Sequence, residues 1–161
     1  MSSAFFGPQM NCSAPSGSHP SGGPVTVIAG TELSAPNGIE LSPDGNTIFV
    51  AVFGSRELVR FRRDAGTLKK DSIRLGITPD NVRWSANGKL LTAGSDQAAP
   101  GAAAATGWSV IEIDPATLAT RRIAGGASSR GMQAISVGTD VGDEIWVGTF
   151  SGDRIGYQKL R

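Results

Sequence analysis

Histidine and cysteine occur once each in this chain of 161 residues, as His19 and Cys12. A single cysteine excludes an intrachain disulfide framework and a thiolate metal cage. His19 stands between Ser18 and Pro20 in a stretch without periodicity. A general base needs a rigid frame and an orienting partner, so histidine catalysis is not expected there. No run approaches the ~20 apolar residues that a membrane-spanning helix requires, and no membrane partner is expected. An excess of one charge is also lacking. With 15 basic and 14 acidic residues the net charge is +1, too little to draw the chain to nucleic acid or an anionic surface. Neither a basic segment nor an apolar core of signal-peptide length opens the sequence, Ala4-Phe5-Phe6 being too short, which makes a cytoplasmic location the default expectation. Gly-x-Ser-x-Gly, His-Glu-x-x-His, Walker and Gly-x-Gly-x-x-Gly motifs are all absent.

Glycine and proline are what the chain has in quantity, 22 and 9 residues. That is the composition of many short strands joined by tight turns. One pattern occurs twice: a polar opening (Asn37; Asp80-Asn81), a strand, a turn (Ser42 to Gly45; Ser85 to Gly88) and an apolar strand (Thr47 to Phe53; Lys89 to Gly94). Both the openings and the turns are offset by 43 residues. A strand-built repeat of about 40–50 residues is the mark of propeller blades. The predicted fold is therefore all-β, a partial β-propeller over 24–161 with units at about 36–77, 80–124 and 133–160, behind a flexible segment at 1–23. Three blades fall short of the four that a closed propeller needs.

Within this frame, Val25 to Ala29 is predicted as an outer strand, Arg56 to Arg63 as the first unit's third strand and Asp71 to Ile77 as its last. The alternation in Arg56 to Arg63 places Arg60 and Arg62 on a wet face, and Asp64 nearby argues against a nucleic-acid patch. Leu118 to Ile123 closes the second unit. Residues 95–107, with Ala102 to Ala105, read as an insertion. Gln133 to Val137, Glu144 to Thr149 and Asp153 to Leu160 form the third. Asp44, in Pro-Asp-Gly, is a turn residue. Gly125 to Gly131 could make an anion nest but reads more simply as a loop.

The chemically interesting set is Asn37, Asp80 and Asn81. Each stands just after a proline (Pro36, Pro79) at the start of an innermost strand, where a propeller presents side chains to its axis. Amide and carboxylate oxygens are hard ligands suited to Ca²⁺. Asn and Asp also simply favour turns and strand starts, and the repeat alone leaves both readings open.

The stretch Ser34-Ala35-Pro36-Asn37-Gly38-Ile39-Glu40-Leu41-Ser42-Pro43-Asp44-Gly45, then Pro79-Asp80-Asn81, resembles the gluconolactonase/regucalcin-like and paraoxonase/arylesterase-like six-bladed propellers. The stretch Ile145-Trp146-Val147-Gly148-Thr149-Phe150-Ser151-Gly152-Asp153-Arg154-Ile155 is similar to their closing blade. The resemblance implies about three of an ancestral six blades, with a divalent cation, usually Ca²⁺, held by Asn37 and Asp80. Asn81 joins them from the paraoxonase-like branch. It implies hydrolysis of a small lactone or ester. The family's N-terminal glutamate ligand and a further asparagine have no counterpart, since Glu32 and Glu40 stand in other contexts. The chain thus looks like a C-terminal half, completed by a missing N-terminal half or by a second copy in a homodimer. The alternative function is a non-catalytic binding or scaffold module.

Overall fold

A computed structural model describes residues 24, 25, 27–64, 66–98 and 106–160. The expected flexible segment 1–23, with Cys12 and His19, and the tetra-alanine at 102–105 lie outside the described residues. Among those described there is no helix, hence none long and apolar enough to cross a membrane. The chain is all-β. Three antiparallel sheets follow one another, each with its strands in sequence order. Blade 1 holds β1 (Pro36–Leu41), β2 (Thr47–Val52), β3 (Glu57–Asp64) and β4 (Thr67–Arg74). Blade 2 holds β5 (Ile77–Trp84), β6 (Leu90–Asp96), β7 (Gly107–Ile113) and β8 (Thr120–Ala127). Blade 3 holds β9 (Ile135–Val141), β10 (Glu144–Thr149) and β11 (Gly156–Lys159).

Residue chemistry explains the elements. β2 and β6 are largely apolar because both their faces are covered, those of β6 by blades 1 and 3, those of β2 by blade 2 and by a cluster with Leu33 and Leu68. The turn before β2 is fixed by Gly45 at φ +69° and by Asp44, whose Oδ1 accepts from Ser42 Oγ (2.5 Å) and the Asn46 amide (3.0 Å). Asp44 is a turn residue, as its setting predicts. Blades 1 and 2 close over one core that includes Phe49, Ala51, Leu58, Val82, Leu90 and Ile113. Blades 2 and 3 close over another with Leu91, Ala93, Val110, Ile135, Ile145 and Val147.

Several strand expectations are corrected. The described residues of Val25–Ala29 form no strand. Ile77 does not end blade 1; it pairs with Asp96 as the first residue of β5. β4 begins earlier than expected, at Thr67, where a polar sequence is held by its ladder to β3 rather than by propensity. Leu118 is a buried turn residue at φ +60°, and β8 starts two residues later. That strand runs through Gly125, Gly126 and Ala127, so these are ladder residues rather than part of a nest. Arg60 is the largest correction. It is 6% exposed, not on a wet face, because the β7–β8 turn of blade 2 covers it, whereas Arg62 is exposed as expected.

Candidate functional site

Each innermost strand opens with the same irregularity. Pro36 pairs with Val52 and Ile39 with Val50, so Asn37 and Gly38 stand opposite Ala51 alone. Pro79 pairs with Gly94 and Val82 with Thr92, leaving Asp80 and Asn81 opposite Ala93. In β9 Ile135 pairs with Thr149 and Val137 with Gly148, which leaves Ser136 unpaired. Two residues against one make a β-bulge, a device that bends the strand and re-aims a side chain. Asn37, Asp80 and Ser136 are thus equivalent positions in three blades. Blades 1 and 3 also share their approach: Ala35 and Ala134 take φ +53° and +50°, left-handed conformations that alanine seldom adopts.

The bulges are held close by small residues and hydroxyls. A Cβ on Gly38 would lie 2.6 Å from the Val82 nitrogen and 2.7 Å from both the Asn81 Cα and the Asp80 carbonyl oxygen. Only glycine lets β1 run this near β5. Thr92, fully buried, donates its hydroxyl to the Asn81 carbonyl at 2.8 Å and pins the blade 2 bulge.

As a result the three predicted residues meet. Asn37 Nδ2 donates to Asp80 Oδ1 at 2.6 Å across the blade 1–blade 2 boundary. Asn81 Nδ2 lies 3.5 Å from the same carboxylate oxygen and donates to the Ser136 carbonyl at 3.2 Å, which extends the connection to blade 3. Ser136, itself buried, is the participant that sequence reasoning missed. Its stretch Ala134-Ile135-Ser136-Val137 lacks the Pro-Asn or Pro-Asp opening, and it stands 56 residues after Asp80 rather than 43 because the β6–β7 and β8–β9 connections are longer than their blade 1 counterparts. Counting back from the apolar strand Glu144–Thr149 would have reached the neighbouring Ala134–Ile135.

Electrostatics single out Asp80. Burial pushes its carboxyl above the ordinary range, partly offset by the Asn37 hydrogen bond. No salt bridge reaches it among the described residues. The amide oxygens of Asn37 and Asn81 accept no hydrogen bond there either. A partly desolvated carboxylate beside two unengaged amide oxygens is a hard-donor set, which fits a cation such as Ca²⁺ in kind. In number it falls short of the 6–8 oxygens that ion takes. No group of three or more His, Cys, Asp or Glu occurs among the described residues to make up the difference.

No family model and no curated protein matches this chain. Solved structures do. A protein from Bacteroides fragilis NCTC 9343, provisionally named a 6-phosphogluconolactonase, superposes with a TM-score of 0.51 at 14% identity, over 78% of this chain and 35% of that one. A virginiamycin B lyase from Staphylococcus aureus gives 0.49 at 14% identity, over 81% and 43%. A protein from Lactobacillus plantarum gives 0.49 at 14%, over 78% and 41%. The chain spans less than half the length of each. At such identities the likeness is one of fold, and it agrees with the reading of the three sheets as β-propeller blades.

Proposed function

We propose that the cluster of Asn37, Asp80 and Asn81 is part of a divalent-cation site, with Ca²⁺ the preferred ion, in a gluconolactonase- or arylesterase-like hydrolase of small lactones or esters. The observation that carries this is the 2.6 Å approach of Asn37 to Asp80 from equivalent bulges of adjacent blades, around a carboxylate with no basic partner. The sequence resemblance supports the reaction class. Bound there, the ion would supply Lewis-acid polarisation of the substrate carbonyl and stabilisation of the oxyanion. Asp80 contributes the charge. Asn37 and Asn81 contribute neutral oxygens and, through their amide nitrogens, hold the carboxylate and the blade 3 backbone in register. None of the three is a nucleophile, so the attacking group in such a hydrolysis is water.

Calorimetric titration with CaCl₂ tests the site. Three protein donors leave the ion mostly hydrated, so the 161-residue chain is expected to bind with a dissociation constant on the order of 10⁻⁴–10⁻³ M. Asp80→Ala should weaken binding at least about tenfold, as expected when the only charged donor is removed. No calcium signal from the native chain, or equal binding by Asp80→Ala, would overturn the proposal.

A further inference from the structure

Blade repetition says what should cover the two ends of this array. On each blade one face looks back toward the preceding blade and the other looks forward. The registers make Ile39, Leu41 and Ile48 of blade 1 equivalent to Val82, Trp84 and Leu90 of blade 2. On blade 2 that backward face is covered by Phe49, Ala51 and Leu58 of blade 1. Trp84 there meets Phe49 edge-on, with ring centres 5.8 Å apart, and donates its indole N–H to the Leu41 carbonyl at 2.7 Å. On blade 1, among the described residues, Leu33 packs on part of the same face, with Val50, Val52, Val59 and Phe61, but no blade lies against it. Ile39 is 67% exposed and Leu41 45%. A groove of about 310 Å³ remains, lined by Ile28, Leu33, Ile39, Ile48, Val50 and Phe61.

The forward face repeats as well. Thr149 corresponds to Val52 and Gly94, each pairing with the residue that precedes a bulge, so Trp146 stands where Phe49 and Leu91 stand. Gly148 likewise stands where Ala51 and Ala93 do. Phe49 and Leu91 are each 1% exposed beneath the next blade. Trp146 instead stacks on Tyr157 at 5.5 Å, and Tyr157 is 61% exposed.

We propose that a second copy of this chain supplies both missing neighbours: the partner's Trp146 and Tyr157 seat on Ile39, Leu41 and the groove of blade 1, and the reciprocal contact closes the ring. The forward face that fits blade 1 is present in the chain itself. A head-to-tail contact closes only when the rotations return to the start. Propellers typically have 4–8 blades, and with the three blades that the described residues form in each copy, two copies alone give a number in that range. The two contacts bring together four sheet faces, each about 10–14 Å wide and 20 Å long at ordinary strand spacings, on the order of 1,000 Å² in all, which is the lower bound for a specific interface. The proposal goes beyond the cation reading and does not depend on it. Closure would also set two copies of Asn37, Asp80, Asn81 and Ser136 around one axis.

Size-exclusion chromatography with light scattering, run in EDTA so that cation binding plays no part, tests it. The native chain is expected at twice its 16.6 kDa mass. Ile39→Asp and Tyr157→Asp change exposed side chains on opposite ends, so each variant should keep the β-sheet circular dichroism signal and elute as a monomer. Mixing the two variants should restore some dimer, because one of the two contacts in the mixed species is then native on both sides. A monomeric native chain, an unlimited series of larger species, or a dimer indifferent to both substitutions would each overturn the proposal.

Discussion

At the residue scale the site rests on a glycine rather than on a ligand. Gly38 has no left-handed φ to satisfy; its requirement is space, since the atoms a Cβ would strike are all backbone atoms of β5. They cannot turn aside as a side-chain tip can. Gly38→Ala must therefore move β1 off β5, and inserting a methyl into a closed contact costs about 1–3 kcal/mol. The same displacement lengthens the Asn37–Asp80 hydrogen bond. Gly38→Ala is expected to lower the urea midpoint and to weaken calcium binding together, whereas Gly45→Ala, strained at φ +69° but with open space around it, should lower stability alone. Equal calcium affinity in Gly38→Ala and the native chain would show that the β1–β5 spacing does not set the site. The Pro-Asn-Gly run was legible as a motif, but the reason for its glycine was not. That reason lies 43 residues away, in backbone no local pattern describes.

At the scale of elements, the joint between blades 1 and 2 depends on a group that alternation misplaced. Arg60 Nε and Nη2 donate to Asp71 at 2.9 and 2.5 Å, and Nη1 donates to the carbonyls of Pro115 and Ala116, each at 2.7 Å. One guanidinium thus ties β3 to β4 and blade 1 to the β7–β8 turn, which uses the fork geometry that lysine lacks. Arg60→Met would deprive the Pro115 and Ala116 carbonyls of this donor and leave Asp71 to its 3.3 Å ion pair with Arg62. Since Asp71 is 36% exposed, the loss falls below that of a fully buried pair, at about 1–3 kcal/mol by urea unfolding. Arg60→Lys should recover only part of it; full recovery would mean that charge alone matters. Period-two reading located β2, β6 and β10 well, because apolar runs bounded by turns are local signals. It failed at β4 and Arg60, where the deciding partner is a neighbouring strand or blade. It also overshot at Val25–Ala29, where β-prone residues have no ladder to join.

For the whole molecule, acid is the condition that separates the stabilising carboxylates from the one in the candidate site. The hydrogen bonds from Arg60 hold Asp71 below the ordinary carboxylate range. Lys89 and the Thr117 amide hold Asp114 far below it. Burial raises Glu112, but Arg121 and Asn87 outweigh it and leave the group lowered. A carboxyl whose folded pKa is depressed contributes stability fully present above the unfolded value, near 4, and lost as pH falls through the folded value. Asp80 has the opposite sign. Its raised carboxyl favours folding when protonated, a contribution lost as pH rises through its folded pKa. Well above the ordinary carboxylate range the depressed groups are ionised in folded and unfolded chains alike and contribute no slope. As pH falls through the raised folded pKa of Asp80, its protonation should hold the melting temperature level or lift it slightly, while displacing any cation bound there. Below about pH 4 the unfolded chain protonates the three depressed carboxyls while the fold keeps them ionised, and the melting temperature should fall, by roughly 5 °C or more at pH 3 for a domain of this size. Two of the three brace the blade 1–blade 2 joint, Asp71 through Arg60 and Asp114 as the anchor of the turn that Arg60 grips. Asp71→Asn should therefore lower stability at pH 7 and flatten the acid slope, while Asp80→Asn should leave the acid slope intact and remove the plateau that precedes it. Circular dichroism melts across this range decide it: a melting temperature at pH 3 equal to that at pH 7 would mean that the ion pairs around Arg60 and Lys89 do not hold the blades together.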